Sequence, residues 1–122
     1  MATVLFISAD HRARLLLTTI FECAGHTVST AGSLPEGIEC LARAVPDLVL
    51  LTIQSPQSDV LEGIAQLRAV SAVVKILVLA QKDDVMDFFA VRMVGADDVL
   101  RQPLGSKALL DAVNHALHED VM

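Results

Sequence analysis

Short apolar runs alternate along this chain with segments in which apolar residues recur every three or four positions. The runs are continuous and rich in Val, Leu and Ile, as is typical of strands buried on both faces. They fall at residues 4–7, 48–51, 74–79 and 99–100, and a further short strand is expected at 27–30. The intervening segments have helical periodicity. Five strand and helix pairs in strict alternation predict an α/β fold with a parallel sheet and right-handed crossovers.

The predicted architecture is a three-layer sandwich of the flavodoxin-like kind, with strand order 2-1-3-4-5. We expect one domain over residues 1–122, with an ordered core at about 3–118. Asp10 is the expected N-cap of the first helix and Gly25 its stop. Ser33, with Glu36 three residues later, predicts a capping box for the second helix. Ser106 is the expected cap of the last helix.

Composition and charge exclude several classes of function. The formal net charge is −6 and no cluster of Lys and Arg is present, which argues against direct nucleic-acid binding. No apolar run approaches the ~20 residues of a membrane helix, and no signal peptide precedes the first strand, so we expect a cytoplasmic protein. Cys23 and Cys40 lack metal-type spacing and are expected to be small buried residues without a redox role.

The segment at residues 46–56 reads Pro-Asp-Leu-Val-Leu-Leu-Thr-Ile-Gln-Ser-Pro. It resembles the third strand and following loop of the receiver domains of two-component response regulators, whose pattern is P-D-L-V-L-L-D-I-x-M-P. Further landmarks follow in the same order over nearly the whole chain, among them Gly-Ala-Asp-Asp at 95–98. The resemblance implies the same fold and a role in phosphorelay signalling of the bacterial type.

The resemblance also shows which residues of the family's phosphorylation pocket are absent. Thr52 stands where the family has its phosphoacceptor aspartate. Ser8 and Ala9 stand where it has two acids that help to hold Mg²⁺, and only Asp10 remains, one position later. Because Mg²⁺ seeks a cluster of anionic oxygen ligands, we expect its binding to be weak or absent. A neutral hydroxyl at Thr52 is a poor nucleophile without a base or a metal.

Three further family positions differ. Ala80 replaces the Ser or Thr that hydrogen-bonds the phosphoryl group, and Gln102 replaces the lysine that neutralises its charge. Val99 replaces the aromatic switch residue. A cis peptide at Gln102 to Pro103, which these domains show, is expected to persist because it serves the fold.

These substitutions predict a pseudo-receiver that is not an enzyme, needs no cofactor and acts by protein contacts without aspartyl phosphorylation. Two alternatives stay open. One is a phosphorylatable receiver with Asp10 or, less favourably placed, Asp59 as acceptor. The other is a flavodoxin-like binder of a small ligand, although the loop at residues 8–12 lacks the glycines of a phosphate cradle.

The helix expected from Asp83 to residues 94–95 carries a second apolar stripe beyond its core face. Met86, Phe89 and Met93 recur at helical spacing, and a helix in this fold covers the sheet with one side only. Contiguous exposed apolar surface favours a protein contact. Val99 joins this candidate interface, because the family's usual contact surface includes the fifth strand. Protein partners in the form of a sensor kinase, an output domain or a second copy all stay open.

Overall fold

A computed structural model describes residues 2–52, 57–80, 88–101 and 105–118, with backbone alone at 57–59 and 88. Within these ranges the chain forms five strands and five helices. The strands are β1 (Thr3–Ile7), β2 (Thr27–Ala31), β3 (Leu48–Thr52), β4 (Lys75–Ala80) and β5 (Asp98–Arg101). The helices are α1 (His11–Cys23), α2 (Leu34–Arg43), α3 (Gln57–Val70), α4 (Phe88–Met93) and α5 (Ser106–Leu117).

The strands pair in parallel in the order β2-β1-β3-β4-β5, as predicted. Alternate residues of each central strand enter different hydrophobic cores. Leu5 and Val49 face the core shared with α2, α3 and α4, whereas Phe6 and Leu50 face the core shared with α1 and α5. Burial on both faces explains why the central strands are continuous apolar runs.

The predicted ends of the first two helices are confirmed. The Asp10 carboxylate accepts a hydrogen bond from Arg12 N at 2.9 Å, and Gly25 follows the helix with φ of +92°. Ser33 Oγ accepts from Glu36 N at 3.3 Å. The Glu36 carboxylate accepts from Gly32 N rather than from the cap residue, which is a one-residue variation on the capping box.

Two local predictions are wrong, and one lies outside the described residues. Gly105, not Ser106, occupies the cap position of α5 and no side chain caps this helix; glycine is also tolerated at an N-cap. Cys23 is exposed at the end of α1, because the helix presents that position to solvent, whereas Cys40 is partly buried. The predicted start of the fourth helix at Asp83 falls in the undescribed range 81–87.

Among the described residues, no helix has the length and hydrophobicity that are needed to span a bilayer.

Candidate functional site

The sheet order brings the ends of β1, β3 and β4 side by side at the carboxyl edge of the sheet. Ile7 pairs with Leu51, and Thr52 pairs with Leu79. Ser8 and Thr52 therefore lie at one edge, as the sequence predicted, and Ala80 ends the neighbouring strand. Open α/β sheets place their binding sites at this edge, at the point where the strand order reverses.

Ser8 is built into the junction between β1 and α1. It is 2% exposed, and its Oγ accepts a hydrogen bond from Asp10 N at 3.1 Å. Its backbone N donates to Ala31 O at 3.0 Å, and its carbonyl accepts from Arg14 Nη1 at 2.6 Å. The junction is thus held by neutral acceptors and one guanidinium, without a carboxylate at position 8.

Thr52 has a hydroxyl with a defined structural partner. Its Oγ donates to the carbonyl of Ile7 on the neighbouring strand at 3.3 Å, and the residue is partly buried. The bond uses the hydroxyl proton and links the end of β3 to the end of β1. A backbone carbonyl is not a base that could take up the hydroxyl proton, so this hydrogen bond does not make Thr52 a nucleophile.

Asp10 is the single acid of the predicted pocket, and its carboxylate serves as a helix cap. It accepts from Arg12 N and is exposed. Ala9, also exposed, contributes only a methyl group. Neither residue supplies a carboxylate directed into the edge beside Thr52.

A cleft of about 380 Å³ opens at the carboxyl edge between β1, β3, α2 and α3. Its described lining is mainly apolar and small, and it includes Ser8, Ala9 and Thr52. The described lining contains one carboxylate, Glu62, which is exposed and accepts from Gln66 Nε2 at 3.4 Å. Asp10 is not part of this lining.

The described side chains at this edge do not fit Mg²⁺. A magnesium site draws on one or two carboxylates and several waters in octahedral geometry. Ser8 and Thr52 offer hydroxyls that already have partners, and Ala80 is a fully buried methyl group of the core. Across the described residues, no group of three or more His, Cys, Asp or Glu side chains could hold a metal ion.

Gln102 and Pro103, with the predicted cis peptide, lie outside the described residues.

The predicted exposed stripe of α4 is present where the structure describes it. Phe89 is 72% exposed and Met93 is 70% exposed, whereas Val91 between them is fully buried. Met86 lies outside the described residues. Val99 is partly buried and packs against the core, so it lies beside the stripe without forming part of its exposed surface.

Sequence reasoning did not identify a second exposed apolar surface. Leu15 and Leu16 of α1 are mostly exposed, and a groove of about 180 Å³ between α1 and α5 is lined by Leu16, Ile20 and Leu109. Residues 15–17 are three consecutive leucines, which point in different directions around the helix, and only Leu17 is buried. An uninterrupted apolar run on a helix is the signal that could have indicated an exposed pair.

The comparisons with known proteins agree on a family. The family model described as the response regulator receiver domain matches residues 4–114. The KDP operon transcriptional regulatory protein KdpE of Escherichia coli is 35% identical over 86% of this chain and 46% of its own length. Response regulator MprA of Mycobacterium leprae is 32% identical over 93% of this chain and 50% of its own length. The chain thus spans about half the length of these curated relatives.

Solved structures agree on the fold. A CheY-like receiver domain protein from Methanospirillum hungatei superposes with a TM-score of 0.89 at 19% identity, covering 98% of this chain and 95% of that one. A receiver domain protein from Clostridium thermocellum gives 0.88 at 20% identity, covering 99% and 98%. At these identities the likeness concerns the fold alone.

Proposed function

The chain belongs to the response regulator receiver family of two-component signalling, and we propose that it acts there by protein contacts, without phosphorylation of an aspartate. One observation carries the proposal. The residue at the acceptor position, Thr52, uses its hydroxyl to bind the Ile7 carbonyl. A receiver that transfers a phosphoryl group needs a carboxylate there.

The surroundings of Thr52 support the same proposal. Phosphoryl transfer depends on positioning and on cations that neutralise the developing charge. Ser8 and Ala9, at the positions of the family's acid pair, bring no carboxylate to hold a metal. Ala80, at the position of the family's hydroxyl switch, has no group that could follow a phosphoryl oxygen. The acceptor position, the metal-ligand positions and the switch position therefore all lack the side chains that phosphoryl transfer requires.

The alternative acceptor Asp10 has little structural support. Its carboxylate accepts from Arg12 N at the start of α1, and it is absent from the described lining of the cleft. The side chain of Asp59 lies outside the described residues. A small polar ligand in the cleft stays an alternative prediction.

The surface that we assign to partner contact is the exposed stripe of α4, Phe89 and Met93. Both side chains are mostly in solvent, and an ion pair between Arg92 and Asp98 at 2.6 Å lies beside them. An apolar centre with a charged rim is the usual anatomy of a protein interface. The partner classes are a sensor kinase, an output domain of a longer chain and a second copy.

The proposal is tested by amide NMR titration with Mg²⁺ and then with beryllofluoride, a mimic of the phosphoryl group. We expect no specific shifts at Thr52 or Ala80. A variant that combines Ser8→Asp, Ala9→Asp and Thr52→Asp supplies the missing carboxylates and is expected to respond to Mg²⁺, which shows that the assay can detect a site. Saturable shifts around Thr52 in the natural chain would contradict the proposal.

The contact surface is tested by pathway output in the native host. Phe89→Ser and Met93→Ser are expected to abolish output while the protein stays folded. Val45→Ser is the matched control, because Val45 is 54% exposed before β3 and lines a cleft with residues of β1 and β2, away from α4. Unchanged output in both α4 variants would refute the assignment of this surface.

A further inference from the structure

The cleft at the carboxyl edge has the size and the position of a small-molecule site. Its volume of about 380 Å³ falls within the range of about 300–1,000 Å³ that such sites usually have. It opens beside the ends of β1 and β3, and open α/β sheets bind their ligands outside the carboxyl ends of their strands. The chemistry of its described lining therefore indicates which kind of molecule would fit.

The inner wall of this cleft is apolar. Ile7 of β1, Leu51 of β3 and Val60 of α3 line it, and each of them is only 2% exposed. Leu34 and Pro35 of α2 add two further apolar side chains. Removal of apolar surface from water against such a wall is favourable, so a molecule that binds here carries an apolar body.

The charge of the cleft disfavours anions. Glu62 is the one charged side chain of the described lining. The amides at the start of a helix attract anions when they are free. At the start of α2, however, Glu36 N donates to Ser33 Oγ, and the Glu36 carboxylate accepts from Gly32 N. These amides are thus bound by side chains of the protein itself, and one of those side chains is a carboxylate.

The guanidinium of Arg14 does not reverse this preference. Its Nη1 donates to Ser8 O at 2.6 Å, and Arg14 does not belong to the described lining of the cleft. Arg14 Nη1 and Glu36 Oε2 each lie 3.5 Å from the position that a Cβ on Gly32 would take, so the two opposite charges are close neighbours. The charge that faces a bound molecule is therefore the carboxylate of Glu62, which favours a cation.

Ser8 supplies a hydrogen-bond donor at the inner wall. The residue lines the cleft and is 2% exposed. A hydroxyl has one donor and two acceptor positions, and Ser8 Oγ accepts from Asp10 N at 3.1 Å. The hydrogen bonds of the described residues use this oxygen as an acceptor only. Its proton can therefore bind an oxygen atom of a molecule in the cleft.

We propose that this cleft binds a small organic amine. The apolar body of the amine packs against Ile7, Leu51 and Val60, and its ammonium group lies at the Glu62 carboxylate. An oxygen atom, where the amine has one, accepts from Ser8. This site rests on the proposed function, because a phosphorylated receiver uses the same edge for Mg²⁺ and a phosphoryl group. The amine supplies a reversible input where such a receiver has a covalent one.

The test compares three probes of similar shape by amide NMR titration of the natural chain. Phenethylamine is cationic, phenethyl alcohol is neutral and hydrocinnamate is anionic. We expect saturable shifts at Ser8, Gly32 and Gly63 with the amine. Its dissociation constant should be about two to five times lower than that of the alcohol, because Glu62 is exposed and water screens the pair. The anion should bind most weakly, and an anion that binds as tightly as the amine overturns the proposal.

The variant Glu62→Gln removes the charge and keeps the size of the side chain. The amine should then lose its advantage, so that its dissociation constant equals that of the alcohol. Glu39→Gln is the matched control, because Glu39 is exposed on α2 and lies outside the described lining. We expect it to bind the probes as the natural chain does. A preference for the amine that survives in Glu62→Gln, or that disappears equally in both variants, overturns the proposal.

The position of the shifts shows where the probes bind, because the groove between α1 and α5 is also apolar. Gly32 and Gly63 line the cleft and not the groove, whereas Leu16 and Leu109 line the groove and not the cleft. Thr52 lines both and does not discriminate. Saturable shifts that are confined to Leu16 and Leu109 overturn the proposal.

The titration with Mg²⁺ and beryllofluoride separates this site from the proposed function. Saturable shifts with beryllofluoride contradict the proposed function, whatever the three organic probes do. Silence with beryllofluoride and with all three probes leaves the proposed function standing and overturns the amine site alone.

Discussion

Replacing Arg68 with Met should destabilise the domain strongly, although Arg68 lies far from the candidate site. Its Nη1 donates to Val74 O at 2.6 Å and its Nη2 to Gly95 O at 2.6 Å. Nη2 also pairs with Asp97 Oδ2 at 3.2 Å, and the same carboxylate oxygen accepts from Ile76 N at 2.8 Å. One guanidinium therefore joins α3 to the segments that begin β4 and β5.

The magnitude follows from these contacts. Each short hydrogen bond that is lost contributes about 0.5–1.5 kcal/mol. The ion pair adds no more than about 1 kcal/mol, because both side chains are about a quarter exposed, at 23% and 27%, and water screens them. Methionine keeps most of the aliphatic stem, so packing changes little. The expected loss for Arg68→Met is about 1–4 kcal/mol in the free energy of unfolding.

The assay is urea unfolding followed by circular dichroism, with extrapolation to water. Two controls separate the contributions. Asp97→Asn keeps an acceptor for Ile76 N and removes only the ion pair, so it should lose less than about 1 kcal/mol. Arg68→Lys keeps the charge, but its single ammonium group cannot donate to both carbonyls. Its loss in the free energy of unfolding should lie between those of the other two variants. An Arg68→Met protein within about 0.5 kcal/mol of the natural chain would refute the reasoning.

Three further substitutions test local packing and helix ends by the same urea assay. Gly37→Ala should lose about 1–3 kcal/mol, because the new Cβ would lie 2.4 Å from Ile7 Cδ1 and must displace a buried side chain; no loss would mean that α2 can shift freely. Ser33→Ala should lose about 1 kcal/mol with the N-cap bond to Glu36, and Ser33→Asp should retain stability. Gly25→Ala should lose about 1 kcal/mol because φ is +92°, and an unchanged midpoint would contradict this.

The fold could be read almost completely from the sequence, because β1, β3 and β4 are buried apolar runs and all five strands end within two residues of their predictions. The spacing of apolar residues is visible in neighbouring positions of the chain, and a strand that is buried on both faces gives a continuous apolar run. The errors fall at surface positions. Serine is a usual N-cap residue, but Gly105 has the extended backbone of the cap, so Ser106 becomes the first residue of α5. Cys23 lies on the side of α1 that faces solvent.

The candidate site could be located from the sequence but its bonding could not. The positions of Ser8, Thr52 and Ala80 follow from strand order alone. The bond from Thr52 to the Ile7 carbonyl joins residues 45 positions apart, and the bond from Arg14 to Ser8 O depends on a rotamer. Neither leaves a periodic signal, so no pattern along the chain indicates that the two hydroxyls are already engaged.

The charged contacts that join the strands lie away from the candidate site. The charged links that hold the strands lie at the amino edge of the sheet, where Asp47 Oδ2 accepts from Thr3 N at 2.8 Å and Arg68 pairs with Asp97. The described part of the carboxyl edge is held by the hydroxyls of Ser8 and Thr52 and by Arg14, which donates to Ser8 O. Clustered carboxylates repel one another, and Ser8, Ala9 and Thr52 bring none to the described part of that edge. The contacts that join the strands at the amino edge therefore do not rely on the residues of the candidate site.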